Sequence, residues 1–359
     1  LKILVVGDWH SELHEEPLLQ ALLELGHDAK KFSWFEYFKP ADFFLNLLGP
    51  YYKLQNKFLA GPTLKRLNSD FIYQAKELCP QLIFIYRGTH IYPSTLRKIR
   101  EQLPAVTIVG YNNDDPFSPK YPRWQWRHFK ACLPEYDLVF AYRHHNLEDF
   151  QRVGARSVAL LRSWFVPTRN YPMMLSDEDA KRYDCDVVFV GHYENDGRLA
   201  YLEDVVKAGW KLKIFGPSYG WDVVLKQSSI LTHLQPVKPV LGVEYNKAIC
   251  GAKVALCFFS RLNRDTYTRR CFEIPATGTL MMSEYSFDLD KIFEDGQEVI
   301  LFHDVEEMRE SMKLALTDNV LRRRIAEAGL KRVWSDGHDV LSRMEYMLKV
   351  VELNTCLEA

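Results

Sequence analysis

At 359 residues the chain exceeds a typical single hydrophobic core, so two domains of roughly 150–180 residues each are expected. Its 46 Lys and Arg balance 47 Asp and Glu, which excludes any global attraction for nucleic acid or anionic lipid and makes any anion site a local one. The seven cysteines are scattered without a C-x-x-C pair or zinc-type His spacing, a pattern that argues against a disulfide framework and for buried thiols in a reducing, cytoplasmic compartment.

The first residues, LKILVVGDWHS, read as a buried strand and lack the basic start and apolar core of a signal peptide. No stretch has the length of a transmembrane helix. After KILVVG (2–7) come a helical pattern, EEPLLQALLELG, and a second strand near HDAKKF. Residues 32–58, FSWFEYFKPADFFLNLLGPYYKLQNKF, concentrate aromatics; they form either an amphipathic helical insertion packed on its own domain or a segment that dips into a membrane surface. LIFIYRG (82–88), a helix over 93–102, AVTIVGY (105–111), DLVFAY (137–142), a helix from 145 and SVALL (157–161) follow. Short β-branched runs alternating with helical patterns predict a parallel sheet with crossover helices.

Prolines and polar residues over 166–183 mark a linker between a first domain, 1–165, and a second, 184–335, with a C-terminal helix over 336–359 that crosses back to the first domain. The second series holds CDVVFVGHYENDGR (185–198), a helix over 197–208, LKIFGPS (212–218), a helix over 241–250, AKVALCF (252–258), TLMMSE (279–284), EVILF (298–302) and helices over 304–351. The fold class is therefore α/β, with two Rossmann-like doubly wound domains facing a cleft.

In such sheets ligands bind beyond the carboxyl ends of the strands. Gly191 and Gly216, each beside a strand end, permit close backbone approach. The most informative stretch is RDTYTRRCFEIPATGTLMMSE (264–284). A helix starting at Tyr267 or Thr268 presents free N–H groups to an anion, and Arg269 and Arg270 add charge beside it. Glu273 lies about a turn further on, where a carboxylate accepts ribose hydroxyls. Asp265 stands in the preceding loop, in reach of a sugar on a bound diphosphate, and Arg198 supplies a second cation. The bland alternative makes these residues a solvated helix start with capping charges.

RRCFEIPATGTLMMSEY, followed by IFEDGQEVILFHDVEEM and RRRIAEAGLKRVWSDGHDVLSR, resembles the donor domain of GT-B glycosyltransferases of group 1, and more closely that of CgeB-like, spore-maturation-type proteins. The similarity spans most of 185–345; the first domain resembles them loosely, through NNDDPFSP (112–119) and the GDWHS loop. The resemblance implies a metal-independent hexosyltransferase without a cofactor, using a nucleotide-diphosphate sugar of UDP, dTDP or GDP type. It implies Glu273 on the ribose, Arg269 or Arg270 and Arg198 on the diphosphate, and Asp265 on the donor sugar, where the family usually has Glu. The acceptor would be a glycan, lipid-linked or protein hydroxyl, with peripheral contact at the inner membrane face through 32–58.

For a base on the acceptor side, the loop after the first strand offers Asp8, His10, Glu12 and His14; Asp114, Asp115 and His90 follow other strands. His10 and Asp114 are the first choices, and a retaining reaction would need neither. A nucleotide-sugar 2-epimerase and a non-catalytic nucleotide-sugar or glycan-binding module are the alternatives. A nicotinamide-dependent dehydrogenase is disfavoured because VVGDWHS lacks G-x-G-x-x-G, and no P-loop pattern appears.

Overall fold

A computed structural model describes residues 1–39 and 49–355. By its internal contacts the chain divides into two compact units, the first comprising Leu1–Arg162 together with the chain from Val340 onward, the second Ser163–Asp339.

The first unit runs β1 (Lys2–Gly7), α1 (Glu15–Glu24), β2 (Asp28–Ser33), a short 3-10 turn at Phe35–Phe38, α2 (Gly49–Phe58), α3 (Pro62–Leu78), β3 (Leu82–Tyr86), α4 (Pro93–Gln102), β4 (Thr107–Asn112), α5 (Arg127–Cys132), β5 (Leu138–Ala141), α6 (His144–Arg152) and β6 (Val158–Leu160). The six strands form one parallel sheet in the order β2-β1-β3-β4-β5-β6. Hydrophobicity explains that order. LIFIY of β3 is buried at every position, as a strand covered by helices on both faces must be. DAKKFS of β2 buries Ala29 and Phe32 while exposing Lys30 and Lys31, the charged pattern that protects an edge. Of the aromatic stretch 32–58, residues 40–48 lie outside the described part; Trp34 and Phe38 before it enter the core, and Tyr51 and Phe58 after it are exposed.

The second unit runs α7 (Asp177–Tyr183), β7 (Cys185–Val190), α8 (Arg198–Lys207), β8 (Leu212–Phe215), α9 (Ser218–Leu225), α10 (Val243–Cys250), β9 (Ala252–Cys257), α11 (Arg270–Ala276), β10 (Leu280–Glu284), β11 (Ile300–Phe302), α12 (Val305–Thr317) and α13 (Asn319–Ser335). Its five strands are again parallel, in the order β11-β10-β9-β7-β8. The last helix, α14 (Val340–Asn354), belongs to the first unit and packs on α1.

In each sheet the chain reverses its direction of winding beside its own first strand: between β1 and β3 in the first unit and between β7 and β9 in the second. Loops diverge there and leave room for a ligand. The strand ends at these two switch points carry the candidate residues.

One element differs from its expected bounds in a way that bears on the site. The helix expected from Tyr267 or Thr268 begins at Arg270 and spans 7 residues. Tyr267 is fully buried and packs edge-on against Phe272 at 5.7 Å, so the chain before Arg270 is spent on anchoring that ring. Pro275, which lacks an amide N–H, and Gly278, at φ 71°, limit the other end.

Candidate functional site

At the β7/β9 switch point of the second unit, two glycines bring loops into contact. A Cβ on Gly216 would lie 2.2 Å from the Gly191 carbonyl oxygen, closer than any side chain permits. The same carbonyl accepts the Trp221 indole N–H at 2.8 Å. A Cβ on Gly191 would lie 3.1 Å from Nη1 of Arg270, so the guanidinium sits directly against the backbone at the end of β7.

Around Arg270 the first turn of α11 gathers the other candidates. Glu273 is 7% exposed and accepts the Tyr245 hydroxyl at 2.8 Å; its second oxygen is 4.0 Å from Arg269 Nε. Burial alone would lower the pKa of Arg270, but Cys257, Tyr245 and Glu273 hold it up. Burial and the Glu273 carboxylate push the Tyr245 phenol well above its ordinary range, so it remains a donor to Glu273. Among the described residues the buried Nε of Arg270 has no hydrogen-bond partner. The late start of α11 alters the anion site expected there: the amides of Cys271 and Phe272 donate within the turn, to Thr268 and Arg269 carbonyls at 3.0 and 2.9 Å, and the Thr268 amide meets the Cys271 Sγ at 3.5 Å. Side-chain cations, more than backbone N–H groups, supply the positive charge.

Two expected contacts take other roles. Arg198 is buried and its guanidinium is committed to its own loop: Nε donates to Asp196 at 2.9 Å and Nη1 to the His192 carbonyl at 2.6 Å, with the rings of Phe189 and Phe258 beneath it. It shapes the 191–198 loop and does not stand open to a diphosphate; the acid two residues before it takes the charge. Asp265 folds its loop back on itself, its amide donating to the Ser260 carbonyl at 2.9 Å and its carboxylate accepting the Ser260 amide at 3.3 Å. Three residues that the sequence reading passed over belong to the same neighbourhood. Tyr245 orients Glu273. Desolvation and the Arg270 cation lower the pKa of His192, directly after Gly191. Glu284, raised in pKa by burial, accepts the Phe259 amide at 2.8 Å and pairs with Arg261 at 3.0 Å, which fixes the loop after β9. A cavity of about 520 Å³ in this unit lies at the opposite strand ends, lined by Ala252, Leu280 and Arg322, and holds none of these residues.

At the β1/β3 switch point of the first unit the chemistry is acidic. Arg87, directly after β3, pairs with Asp114 at 2.7 Å and with Asp8 at 3.7 Å. It adopts φ 66°, a strained backbone for a residue with a side chain, and lies 5.5 Å from the Trp126 ring centre. Burial would lower the Arg87 pKa, but Asp114 and Asp8 raise it. His10 is exposed on the same turn; its amide donates to Asp8 Oδ1 at 2.9 Å and its ring rests 4.6 Å from Phe35. Glu12 is exposed, and His14 Nδ1 lies 3.1 Å from the Tyr86 hydroxyl.

The structure removes two candidates for the base. His90 is buried between Trp34 and Phe38, bonded to Asn56 at 2.7 Å and Thr89 at 2.9 Å, and burial lowers its pKa to about 3. Asp115 is fully buried and accepts the Phe117 amide at 3.0 Å and the Asn146 amide group at 2.9 Å, so it organises the loop. Glu15, at the start of α1, was not anticipated: it is buried, and desolvation together with Asp8 raises its pKa to about 7.

Residues 198–349 match the family model described as glycosyl transferase-like. No curated protein matches the chain. Among solved structures the chain is similar to a sucrose-phosphate synthase from Thermosynechococcus elongatus, at 13% identity over 98% of this chain and 99% of that one, with a TM-score of 0.69. It is similar to Anabaena HepE in complex with UDP-glucose, at 13% identity over 98% and 99%, with a TM-score of 0.65. A protein assigned as a UDP-N-acetylglucosamine 2-epimerase from Listeria monocytogenes aligns at 10% identity over 98% and 96%, with a TM-score of 0.57. The architecture is thus the two-domain, Rossmann-like α/β arrangement of the GT-B fold. No helix among the described residues is long and apolar enough to cross a membrane.

Proposed function

We propose that the protein is a glycosyltransferase that moves a sugar from a nucleotide-diphosphate donor to an acceptor hydroxyl. The observation that carries this reading is the cluster of Arg269, Arg270 and Glu273 at the switch point of the second unit, with Tyr245 holding the carboxylate in place. Glu273 accepts the ribose hydroxyls, and Arg269 and Arg270 neutralise the diphosphate as the bond to the sugar breaks. Gly191 and Gly216 keep side chains out of the way, while Arg198 and Asp265 act through the loops they fold.

The acceptor is assigned to the first unit, with Asp114 or His10 taking the hydroxyl proton if the anomeric centre inverts; in a retaining reaction the departing phosphate takes it. UDP is the first donor to test, because HepE is seen with UDP-glucose. A CgeB-like hexosyltransferase that works without a metal, on a glycan, lipid-linked or protein acceptor in the cytoplasm or at the membrane face, is the specific form of the proposal. A 2-epimerase shares the fold and would turn over the donor with no acceptor added.

Calorimetry against UDP, GDP, dTDP and CMP, with Glu273→Ala alongside, tests the donor site. One diphosphate should bind, and the variant should weaken it about 10- to 100-fold, the loss of charge-assisted hydrogen bonds. Equal binding by both proteins, or no binding to any nucleotide, would sink the proposal.

A further inference from the structure

Glu15 opens α1 and is 1% exposed, yet none of the roles above uses it. Gly7 makes the room for it: a Cβ there would lie 2.3 Å from Glu15 Oε1. That oxygen accepts the backbone N–H of Asp8 at 3.0 Å and of Trp9 at 3.5 Å. Among the described residues the buried Oε2 has no hydrogen-bond partner. The turn thus supported is a strained one. Trp9 adopts φ 55°, held there by its indole N–H, which donates to the Phe32 carbonyl at 2.9 Å. The His10 amide in turn donates to Asp8. One buried carboxyl therefore underlies the backbone that presents both Asp8 and His10.

We propose that Glu15 is a positioning residue whose protonation switches the 7–10 turn between two hydrogen-bonding states, so that the presentation of Asp8 and His10 changes with pH. Ionised, Glu15 binds the two amides as a carboxylate and places a second negative charge beside Asp8. Protonated, it loses that charge and accepts the same amides more weakly. Burial first, and then Asp8, move this change to about pH 7. The charged groups tied to it are Asp8, whose amide it holds, and Arg87, which faces Asp8. Glu16 and His14 stand beside it in sequence, and the elements packed against α1 carry Lys30 and Lys31 on β2 and Arg343, Glu345 and Lys349 on α14, of which Glu345 and Lys349 lie beside Leu25 at the other end of the helix.

The importance of the turn for turnover rests on the acceptor-side reading; the switch itself does not. Amide resonances of Asp8 and Trp9, followed by NMR from pH 5 to 9 in the whole chain, should move with a midpoint near 7 and should lose that transition in Glu15→Gln. Selective ¹³Cδ labelling of glutamate in the unaltered protein reads the same carboxyl directly, should the variant fail to fold. Amides that do not titrate, or that titrate alike in both proteins, or a Glu15 carboxyl ionised throughout the range, would overturn the proposal. UDP affinity, measured on both proteins, judges the transferase reading separately: it should be equal in the two, and its absence from both would sink that reading while the resonances still decide this one.

Discussion

The two switch points have the same topology and opposite electrostatics. In the second unit Arg269 and Arg270 crowd one carboxylate, Glu273, and among the described residues the buried Nε of Arg270 has no hydrogen-bond partner. In the first, Asp8 and Asp114 both pair with Arg87, and a third acid, Glu15, is buried beside Asp8. A parallel sheet supplies both places with the same diverging loops and takes no part in choosing the charge. In the first unit the residues just after the strands do that, Asp8, Arg87 and Asp114; in the second it is the first turn of α11, at the end of a longer loop after β9. A cation cluster suits a ligand that gains negative charge as it leaves; a carboxylate cluster suits one that donates hydroxyl protons.

The sharpest way to break this comparison is at the backbone. Gly216→Ala places a methyl 2.2 Å from a carbonyl oxygen that cannot swing aside, so the variant should lose on the order of 3 kcal/mol of stability, as overpacking does, and with it nucleotide binding. A melting temperature within a degree of the parent would show that the loops are looser than they look. Glu15 should come next. Its native carboxyl keeps its proton to about pH 7, whereas the ordinary value is 4.5. The native state therefore holds an extra proton between those values, and stability falls as pH rises through that window, by on the order of 3 kcal/mol at most. Denaturant titrations at pH 5 and 8 should show Glu15→Gln gaining on the parent at the higher pH; parallel curves would contradict the burial argument.

Arg87→Ala leaves Asp8 and Asp114 facing each other without their shared cation. A loss of about 1–3 kcal/mol is expected in denaturant titrations; alanine keeps a Cβ, so the strain at φ 66° is not relieved. His10→Ala is expected to change stability by less than about 0.5 kcal/mol, since the side chain is exposed; thermal melts would show it. If that variant also leaves turnover intact, Asp114 inherits the role of base.

Much of this was readable in the residues, and the parts that were not share a cause. Runs such as LIFIY and CDVVFV announce buried parallel strands because their periodicity is local. The α11 segment was legible as a cation-bearing turn with a carboxylate one turn on. Its start was not, because burial of Tyr267 against Phe272 is a tertiary fact. Arg198 reads as an available cation until Asp196, two positions earlier, is seen to face it. His90 follows a strand as a base would, but Trp34 and Asn56, distant in sequence, turn it into a core residue. The GDWHS loop drew the eye to His10, while Glu15, five residues on, matters through the space that Gly7 leaves for it. Tyr245 carried no local signal at all; only the placement of α10 brings its hydroxyl to Glu273.

The return of α14 to the first unit makes the second an insertion between β6 and the last helix. During synthesis the six strands of the first sheet leave the ribosome early, but the surface of α1 that α14 covers stays bare until every residue of the second unit has been made. The half of the molecule translated first is therefore the last to be finished, and a ribosome that stalls within 163–339 leaves a nascent chain whose opening helix still lacks its cover.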